Sequence, residues 1–264
     1  MLDLTFRIFG PFTNKIIEII ENIDVPKRAR RVDTREALRG ILYVYETGAQ
    51  WRNLSVKPHY TTFHKRFVKW SKLDVFPALW KYVLHVYSKT KIKEDKTWFK
   101  HLIIDSTNIK NVSGIDCIGY HNKEPNKKAT KVSLICDRDK VPLVVKTFPA
   151  NVHDVKTIAP TLDLLKDFEL LNDKRNKHIL LGDKGYITKE QFPNTRVLTY
   201  LRTNMKKQID FYDQKLLDEN RYKIEHCINL FKCPKRLRIR VDKSIDQYNS
   251  FTYISIISRI STKL

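Results

Sequence analysis

Several features that would place this sequence in a familiar class are scarce or missing. The chain of 264 residues has four cysteines and no C-x-x-C pair, so we expect neither a zinc site nor a disulfide framework. No signal peptide is recognisable. No apolar run reaches the length of a membrane span, and the longest candidate, Ile254 to Ile260, is interrupted by serines and by Arg259. We therefore expect an intracellular protein in a reducing setting, without a membrane partner.

Acidic residues are also few in comparison with basic ones. The sequence has 50 Lys and Arg against 29 Asp and Glu, which gives a formal net charge of +21 and a pI near 9.8. This excess favours a large polyanion as partner, and double-stranded DNA is the first candidate. The hydrophobic fraction of 42%, with 11% aromatic residues, is typical of a folded chain. The length suits one large domain or two modest ones.

Apolar residues at helical spacing predict four helices within residues 1–95. The first begins near Thr13 or the residue after it. Asp33 or its neighbour can cap the second helix, which Gly48 then ends. The third begins near residues 61 and 62, and the fourth carries an apolar stripe that closes the bundle. The stripe consists of Phe76, Leu79, Trp80, Val83, Leu84 and Tyr87.

The third predicted helix has a basic surface that suits DNA. Its candidate DNA-binding residues are His64, Lys65, Arg66, Lys69 and Lys72. A helix, a connection and a basic helix have the outline of a helix-turn-helix. The basic segment 26–31 ahead of it could lie against phosphates. A small helical bundle with a lysine-rich outer face fits the same pattern equally well.

Three acidic residues stand out by their positions. Asp105 follows the apolar run 102–104, and Asp183 follows the run 179–182; runs of this kind are typical of buried strands. Glu225 lies on a predicted helix whose inward face would be Ile224, Cys227, Ile228 and Phe231. Hard oxygen ligands suit Mg²⁺ or Mn²⁺, and two such ions promote in-line displacement at phosphodiesters. The alternative is three unrelated acids.

The order of predicted elements defines a fold class. A polar stretch from Ser88 to Thr97 marks a boundary between a helical domain, residues 1–95, and a second domain, residues 96–264. The second domain begins with a strand ending at Asp105 and a hairpin of strands 130–136 and 141–148. A helix capped by Asp154, a strand at 178–183, a short strand near 197–200 and the Glu225 helix follow. This α+β order is that of a ribonuclease-H-like core.

A set of short motifs occurs in the order found in one known family. They are Gly40-Ile41-Leu42-Tyr43, Thr47 to Leu54, Asp105-Ser106-Thr107, Ala150 to Asp154, Asp183-Lys184-Gly185-Tyr186, Arg221 with Glu225 and Lys232, and Arg240-Val241-Asp242-Lys243. Together they resemble the DDE transposases of bacterial insertion sequences, specifically group five, from about Arg35 to Phe251. Three features depart from the family pattern: Asp218 replaces an expected tyrosine, Lys140 replaces an expected glycine, and the stretch before Lys131 is lysine-rich where glycine is expected.

The resemblance implies a site and a chemistry. Asp105, Asp183 and Glu225 would be the catalytic, metal-binding triad, holding two Mg²⁺ or Mn²⁺ ions. Arg221 and Lys232 would contact phosphate or tune the glutamate, although each could equally be a helix-stabilising neighbour of Glu225. The partner would be double-stranded DNA, at the element ends and at the target, bound by a homodimer.

Three functions remain open at this point. The first is an active transposase that cleaves and transfers strands at the ends of an insertion sequence. The second is a transposase-derived DNA-binding protein without catalytic activity. The third is another ribonuclease-H-like nuclease, such as a junction resolvase. The three acids favour the first function over the second, and the helical amino-terminal part favours it over the third.

Overall fold

The computed structural model describes residues 4–25, 32–54, 59–121, 124–166, 168, 177–201 and 209–264. The basic segment 26–31 lies outside the described residues. The chain groups into two compact units. The terminal unit comprises Met1–Leu84, Lys110–Asp116 and Phe231–Leu264, and the central unit comprises His85–Ile109 and Cys117–Leu230. The division into functional domains 1–95 and 96–264 stays a prediction, because the two compact units are defined by contacts between residues and say nothing about activity.

The described residues form helices and strands, joined in places by short 3-10 turns. The helices are α1 (Leu4–Phe9), α2 (Thr13–Ile23), α3 (Thr34–Thr47), α4 (Tyr60–Lys72), α5 (Val75–Glu94), α6 (Ile158–Asp163), α7 (Phe211–Phe231), α8 (Lys235–Arg238) and α9 (Ile245–Ser261). The strands are β1 (His101–Asn111), β2 (Gly119–His121), β3 (Glu124–Cys136), β4 (Pro142–Pro149), β5 (His178–Gly182), β6 (Thr195–Thr199) and β7 (Ile239–Arg240). The four predicted amino-terminal helices correspond to α2, α3, α4 and α5, whereas α1, α8, α9, β2 and β7 were not predicted. The strand predicted to end at Asp105 continues to Asn111.

Local signals explain where the helices of the terminal unit begin and end. The side chain of Asp33 accepts a hydrogen bond from the backbone N–H of Glu36 at 2.6 Å, which caps the start of α3. Gly48 ends the helix with φ of 66°, a left-handed conformation that costs glycine little. Both predicted ends of this helix are therefore confirmed.

The carboxyl-terminal helix α9 belongs to the core of the terminal unit. Phe251 stacks on Phe67 of α4 with ring centroids 4.5 Å apart. The hydroxyl of Ser250 lies 2.8 Å from that of Ser71, also on α4. The last helix of the chain therefore packs with the predicted amino-terminal bundle.

The central unit is built on a mixed sheet. Its strand order is β2-β3-β1-β5-β6, and β4 also pairs with β3. Strands β3 and β4 are antiparallel, as predicted, whereas β5 pairs in parallel with both β1 and β6. The turn between β3 and β4 is held by Asp137, which accepts hydrogen bonds from the backbone of Val141 at 3.0 Å and from the hydroxyl of Tyr87 at 2.6 Å. Within the terminal unit, the end of β1 pairs with β7.

Helix α7 presents one apolar face and one polar face. Its predicted inward residues, Ile224, Cys227, Ile228 and Phe231, are all buried. Arg221 and Glu225 are exposed. The fold is therefore mixed α/β, with a helical amino-terminal region and a mixed sheet. Among the described residues, no helix has the length and apolar content that crossing a membrane would need.

Candidate active site

Two of the predicted acids come together through strand register. Strands β1 and β5 are parallel neighbours, with Ile103 paired to Leu181. Each acid lies two positions beyond this pair, so continuing the register places Asp105 opposite Asp183. The carboxyl ends of the apolar runs in adjacent parallel strands lie at one edge, which is why two residues 78 positions apart share a site.

The third acid reaches the same place from helix α7. Asp105, Asp183 and Glu225 all line one cavity of about 410 Å³ in the central unit. Its walls are otherwise mainly apolar, with polar side chains at Lys184, Tyr200 and Arg221. The carboxylate of Glu225 lies 3.5 Å from the guanidinium of Arg221, and its side chain is 61% exposed. The structure thus brings the three predicted acids to one cavity.

The acids differ in burial and in how far their surroundings shift the pKa. Burial raises the pKa of Asp105 to about 6, and a hydrogen bond from the backbone N–H of Ser106 partly opposes this shift. Neighbouring carboxylates raise it further; they are those of Asp183, Asp154 and Glu225. Asp183 is exposed, and its carboxylate accepts a hydrogen bond from the backbone of Gly185 at 2.7 Å. Asp105 is therefore the acid at which negative charge is least well balanced.

The donor set fits a divalent metal ion, although the side chains do not converge on one point. Carboxylate oxygens are the ligands that Mg²⁺ and Mn²⁺ prefer, and a carboxyl whose pKa is raised by like charges would be stabilised by a cation. In the described part of the chain, however, no three His, Cys, Asp or Glu side chains are grouped closely enough to hold a metal ion. Glu225 is turned towards Arg221 instead.

A fourth acid at the site was given another role by sequence reasoning. Asp154 was expected to cap a helix, and this expectation is wrong: the turn that starts there has no side-chain cap. Its carboxylate instead accepts hydrogen bonds from Ser106 at 2.7 Å and from Lys131 at 2.5 Å. The phenol of Tyr186 is fully buried beside these groups, and burial raises its pKa. Lys131 has no local pattern that would reveal its role, whereas Tyr186 closes the motif Asp183-Lys184-Gly185-Tyr186 without a role being assigned to it.

The remaining predicted residues near Glu225 have mixed surroundings. Arg221 is 70% exposed at the cavity wall. Asp218, found where the family has tyrosine, accepts a hydrogen bond from the hydroxyl of Tyr200 at 2.9 Å, so a tyrosine from another part of the chain reaches this position. Lys232 lies just past the end of α7, in the terminal unit.

The basic side chains of α4 are not equivalent. Lys65 is exposed. Lys69 is also exposed and is paired with the buried carboxylate of Asp24. Arg66 is only 10% exposed, and its guanidinium donates to the carbonyl of Val32 at 2.7 Å. His64 is half-buried, with its ring 5.2 Å from that of Trp51. Lys65 and Lys69 are thus both exposed, whereas Arg66 is chiefly part of the fold.

A positively charged protein with an acid-lined cavity at the edge of a parallel strand pair has the features of an enzyme that acts on nucleic acid. Comparison with family models makes this specific. Residues 99–254 match the model described as "Transposase DDE domain", and residues 15–80 match "Putative transposase of IS4/5 family". The first match covers more than half of the chain. The chain therefore belongs to the DDE transposases of the IS4/5 family and is an enzyme of that class.

No curated protein matches the sequence. Among solved structures, the chain is similar to a piggyBac transposase described in a cryo-EM synaptic complex with hairpin DNA. The TM-score is 0.48 and the sequence identity is 13%, and the alignment covers 98% of this chain and 74% of that one.

Proposed function

We propose that this transposase binds the ends of an insertion sequence and catalyses metal-dependent cleavage and transfer of DNA strands. The observation that carries the proposal is the shared cavity of Asp105, Asp183 and Glu225, two on adjacent parallel strands and one on a helix. The family membership supports a transposase, and the acids supply the groups that phosphodiester chemistry needs. The junction resolvase alternative lacks comparable support.

We also propose that the central unit is a ribonuclease-H-like core. The strand order with β3 and β1 inside, the antiparallel β3–β4 hairpin and the parallel β1, β5 and β6 support this assignment. In this arrangement Asp105, within β1, and Asp183, directly after β5, would act together, with helix α7 contributing the third acid.

The three acids would hold two Mg²⁺ or Mn²⁺ ions. Such ions supply an activated oxygen nucleophile and a stabilised leaving oxygen at the scissile phosphate. For its part, the chain must keep Asp105 ionised despite burial and must turn Glu225 away from Arg221. Arg221, released from that pair, would then be free to contact a DNA phosphate.

The helical amino-terminal region would recognise the element ends through α4, in the manner of a helix-turn-helix. Lys65 and Lys72 are exposed on this helix and available to phosphate. An element has two ends, and each needs a catalytic site, so we propose that two copies of the chain assemble on the DNA. Since the substrate is genomic DNA, the protein would act inside the cell.

Replacement of each acid by its amide tests the catalytic proposal. Asp105→Asn, Asp183→Asn and Glu225→Gln keep size and polarity but remove a charge that the ions require, so end cleavage should fall by about 10³-fold or more. Gel-shift binding of the same DNA should persist. Glu219→Gln is the matched control on α7, because Glu219 forms an exposed pair with Lys215 as Glu225 does with Arg221. Undiminished cleavage by all three variants would refute the triad.

Charge reversal on α4 tests the binding proposal in the full chain. Lys65→Glu with Lys72→Glu should weaken end binding and should lower the salt dependence of the binding constant by about two phosphate contacts. Lys15→Glu with Lys263→Glu makes the same change of charge at other exposed positions of the terminal unit. Equal loss in both pairs would mean that α4 makes no particular contact with the DNA.

A further inference from the structure

Asp154 connects the backbone segments that carry two of the three acids. On one side, it accepts a hydrogen bond from the hydroxyl of Ser106 at 2.7 Å. The backbone N–H of Ser106 in turn donates to the carboxylate of Asp105 at 2.7 Å. One residue therefore bonds to Asp105 through its main chain and to Asp154 through its side chain.

On the other side, Asp154 packs against the turn that carries Asp183. A methyl group added at Gly185 would lie 3.0 Å from Oδ2 of Asp154 and 2.9 Å from Oδ1 of Asp183. The N–H of Gly185 donates to that same Oδ1 of Asp183. The backbone of Gly185 thus lies close to the carboxylates of both Asp154 and Asp183. The Asp154 carboxylate therefore limits the position of the turn that carries Asp183.

A buried lysine holds Asp154 in this position. The ammonium of Lys131 donates to Asp154 at 2.5 Å and to the carbonyl of Val152 at 2.6 Å, and its side chain is 7% exposed. The ammonium is buried, whereas the Asp154 side chain is 33% exposed, so separating the pair would leave the buried lysine without a charge partner. Asp154 is therefore an acid whose charge is already partnered within the protein, unlike Asp105.

We propose that Asp154 is a positioning residue of the active site. Fixed by Lys131, it sets the separation of Asp105 and Asp183 through Ser106 and Gly185, and so sets how tightly the pair can hold metal ions. The inference rests on the proposed metal-dependent function. It differs from a ligand role, in which Asp154 would itself bind the ion, and from a purely structural role, since it concerns metal affinity.

The test measures metal dependence in two independent ways. The variants are Asp154→Asn, Ser106→Ala and the double variant, with Asp163→Asn as control, because Asp163 forms an exposed pair with Lys166. One readout is the Mn²⁺ concentration that gives half-maximal cleavage of an end substrate. The other is the rise in unfolding temperature that Mn²⁺ produces without DNA. Loss of a group that orients metal ligands typically costs about 10- to 100-fold in metal affinity or activity.

We expect Asp154→Asn to need at least about 10-fold more Mn²⁺ for cleavage, with a parallel shift in the thermal titration. Ser106→Ala should shift both in the same direction by less. The double variant should match Asp154→Asn, because both residues act through one connection. Asp163→Asn should behave as the unmodified protein does.

Three results would overturn the inference. If Asp154→Asn lowers the unfolding temperature but leaves both metal titrations unchanged, the residue is only structural. If it abolishes the metal response at every concentration while the fold persists, Asp154 is a ligand. If the unmodified protein shows no thermal response to Mn²⁺, there is no metal site to position. By contrast, a thermal response without cleavage would count against the proposed function alone, and the thermal titrations would still decide the role of Asp154.

Discussion

Two sites, one in each unit of the molecule, treat buried charge in opposite ways. In the terminal unit, Arg236 and Asp242 form a buried pair with two hydrogen bonds, and their side chains are 5% and 2% exposed. Arg240, fully buried, is paired with Asp116. In the central unit, Asp105 has a raised pKa and is surrounded by other carboxylates. The first arrangement is balanced within the protein, whereas the second lacks positive charge.

The difference separates residues that stabilise the fold from residues that serve the reaction. Removing one partner of a balanced buried pair is strongly destabilising, because it leaves an uncompensated buried charge. An unbalanced group of acids costs free energy as long as no cation is bound, and proteins retain such arrangements at functional sites. Opposite effects on stability are therefore expected from neutralising an acid in each unit.

The largest effect on stability is expected at the balanced pair. Asp242→Asn leaves the guanidinium of Arg236 buried without its charge partner, so the free energy of unfolding should fall by about 3–5 kcal/mol. Urea unfolding monitored by circular dichroism measures this. Arg236→Met combined with Asp242→Leu should recover most of the loss. A double variant as unstable as Asp242→Asn would show that the charges themselves are required.

A smaller effect of opposite sign is expected at Asp105. In metal-free buffer near neutral pH, Asp105→Asn should raise the free energy of unfolding by about 1–2 kcal/mol, because it removes a buried, repelled charge. The folded pKa of about 6 lies above the ordinary value of 3.8, so the folded state of the unmodified protein binds this proton more tightly than the unfolded state. The Asp105 carboxyl group of the unmodified protein therefore contributes more to stability as the pH falls through 6.

The pH series provides the control for this prediction. The advantage of Asp105→Asn should shrink between pH 7 and about pH 4, because the unmodified carboxyl becomes neutral over that range. Denaturant midpoints of both proteins across this interval measure the change. A constant difference at every pH would mean that ionisation of Asp105 is not the source of the effect.

The smallest effect is expected at the exposed pair on α7. Arg221→Gln removes a contact of 3.5 Å between side chains that are 70% and 61% exposed, so stability should change by about 0.5 kcal/mol or less. Thermal unfolding is sufficient to measure it. A much larger loss would indicate that Arg221 is part of the fold and is not available to DNA.

The three acids could be identified from the sequence because each lies beside a local apolar pattern. Asp105 and Asp183 follow apolar runs that are typical of buried strands, and the parallel pairing of β1 with β5 brings the two acids together. Glu225 lies beside a helical apolar face that is indeed buried. In each case, one short segment carries the signal, and its neighbours in space follow from regular geometry.

The network around Asp154 could not be predicted in this way. Its partners Ser106 and Lys131 come from two other strands, and the contact with Gly185 comes from a further turn. An aspartate ahead of an apolar helical pattern resembles a helix cap. The local sequence does not show that the ammonium of Lys131 donates a hydrogen bond to this carboxylate. Tertiary contacts here prevail over local preference.

Helix α9 illustrates a different limit. Its serines interrupted the apolar pattern, yet several are buried because their hydroxyls find acceptors along the helix. Ser250 donates to the carbonyl of Asp246 and Ser261 to that of Ile257, each at 2.8 Å. Hydroxyls satisfied in this way can enter a core at little cost. A hydropathy pattern does not show that these serine hydroxyls are hydrogen-bonded within the helix.

The most direct test of the contrast between the units is the response of stability to metal. The unfolding temperature of the unmodified protein, of Asp105→Asn and of Asp242→Asn is measured with a chelator and with saturating Mn²⁺. We predict that Asp105→Asn is the most stable of the three without metal and gains little from Mn²⁺, while the unmodified protein and Asp242→Asn gain equally from the ion. An equal gain in all three proteins would contradict the account, because the ion would then bind elsewhere.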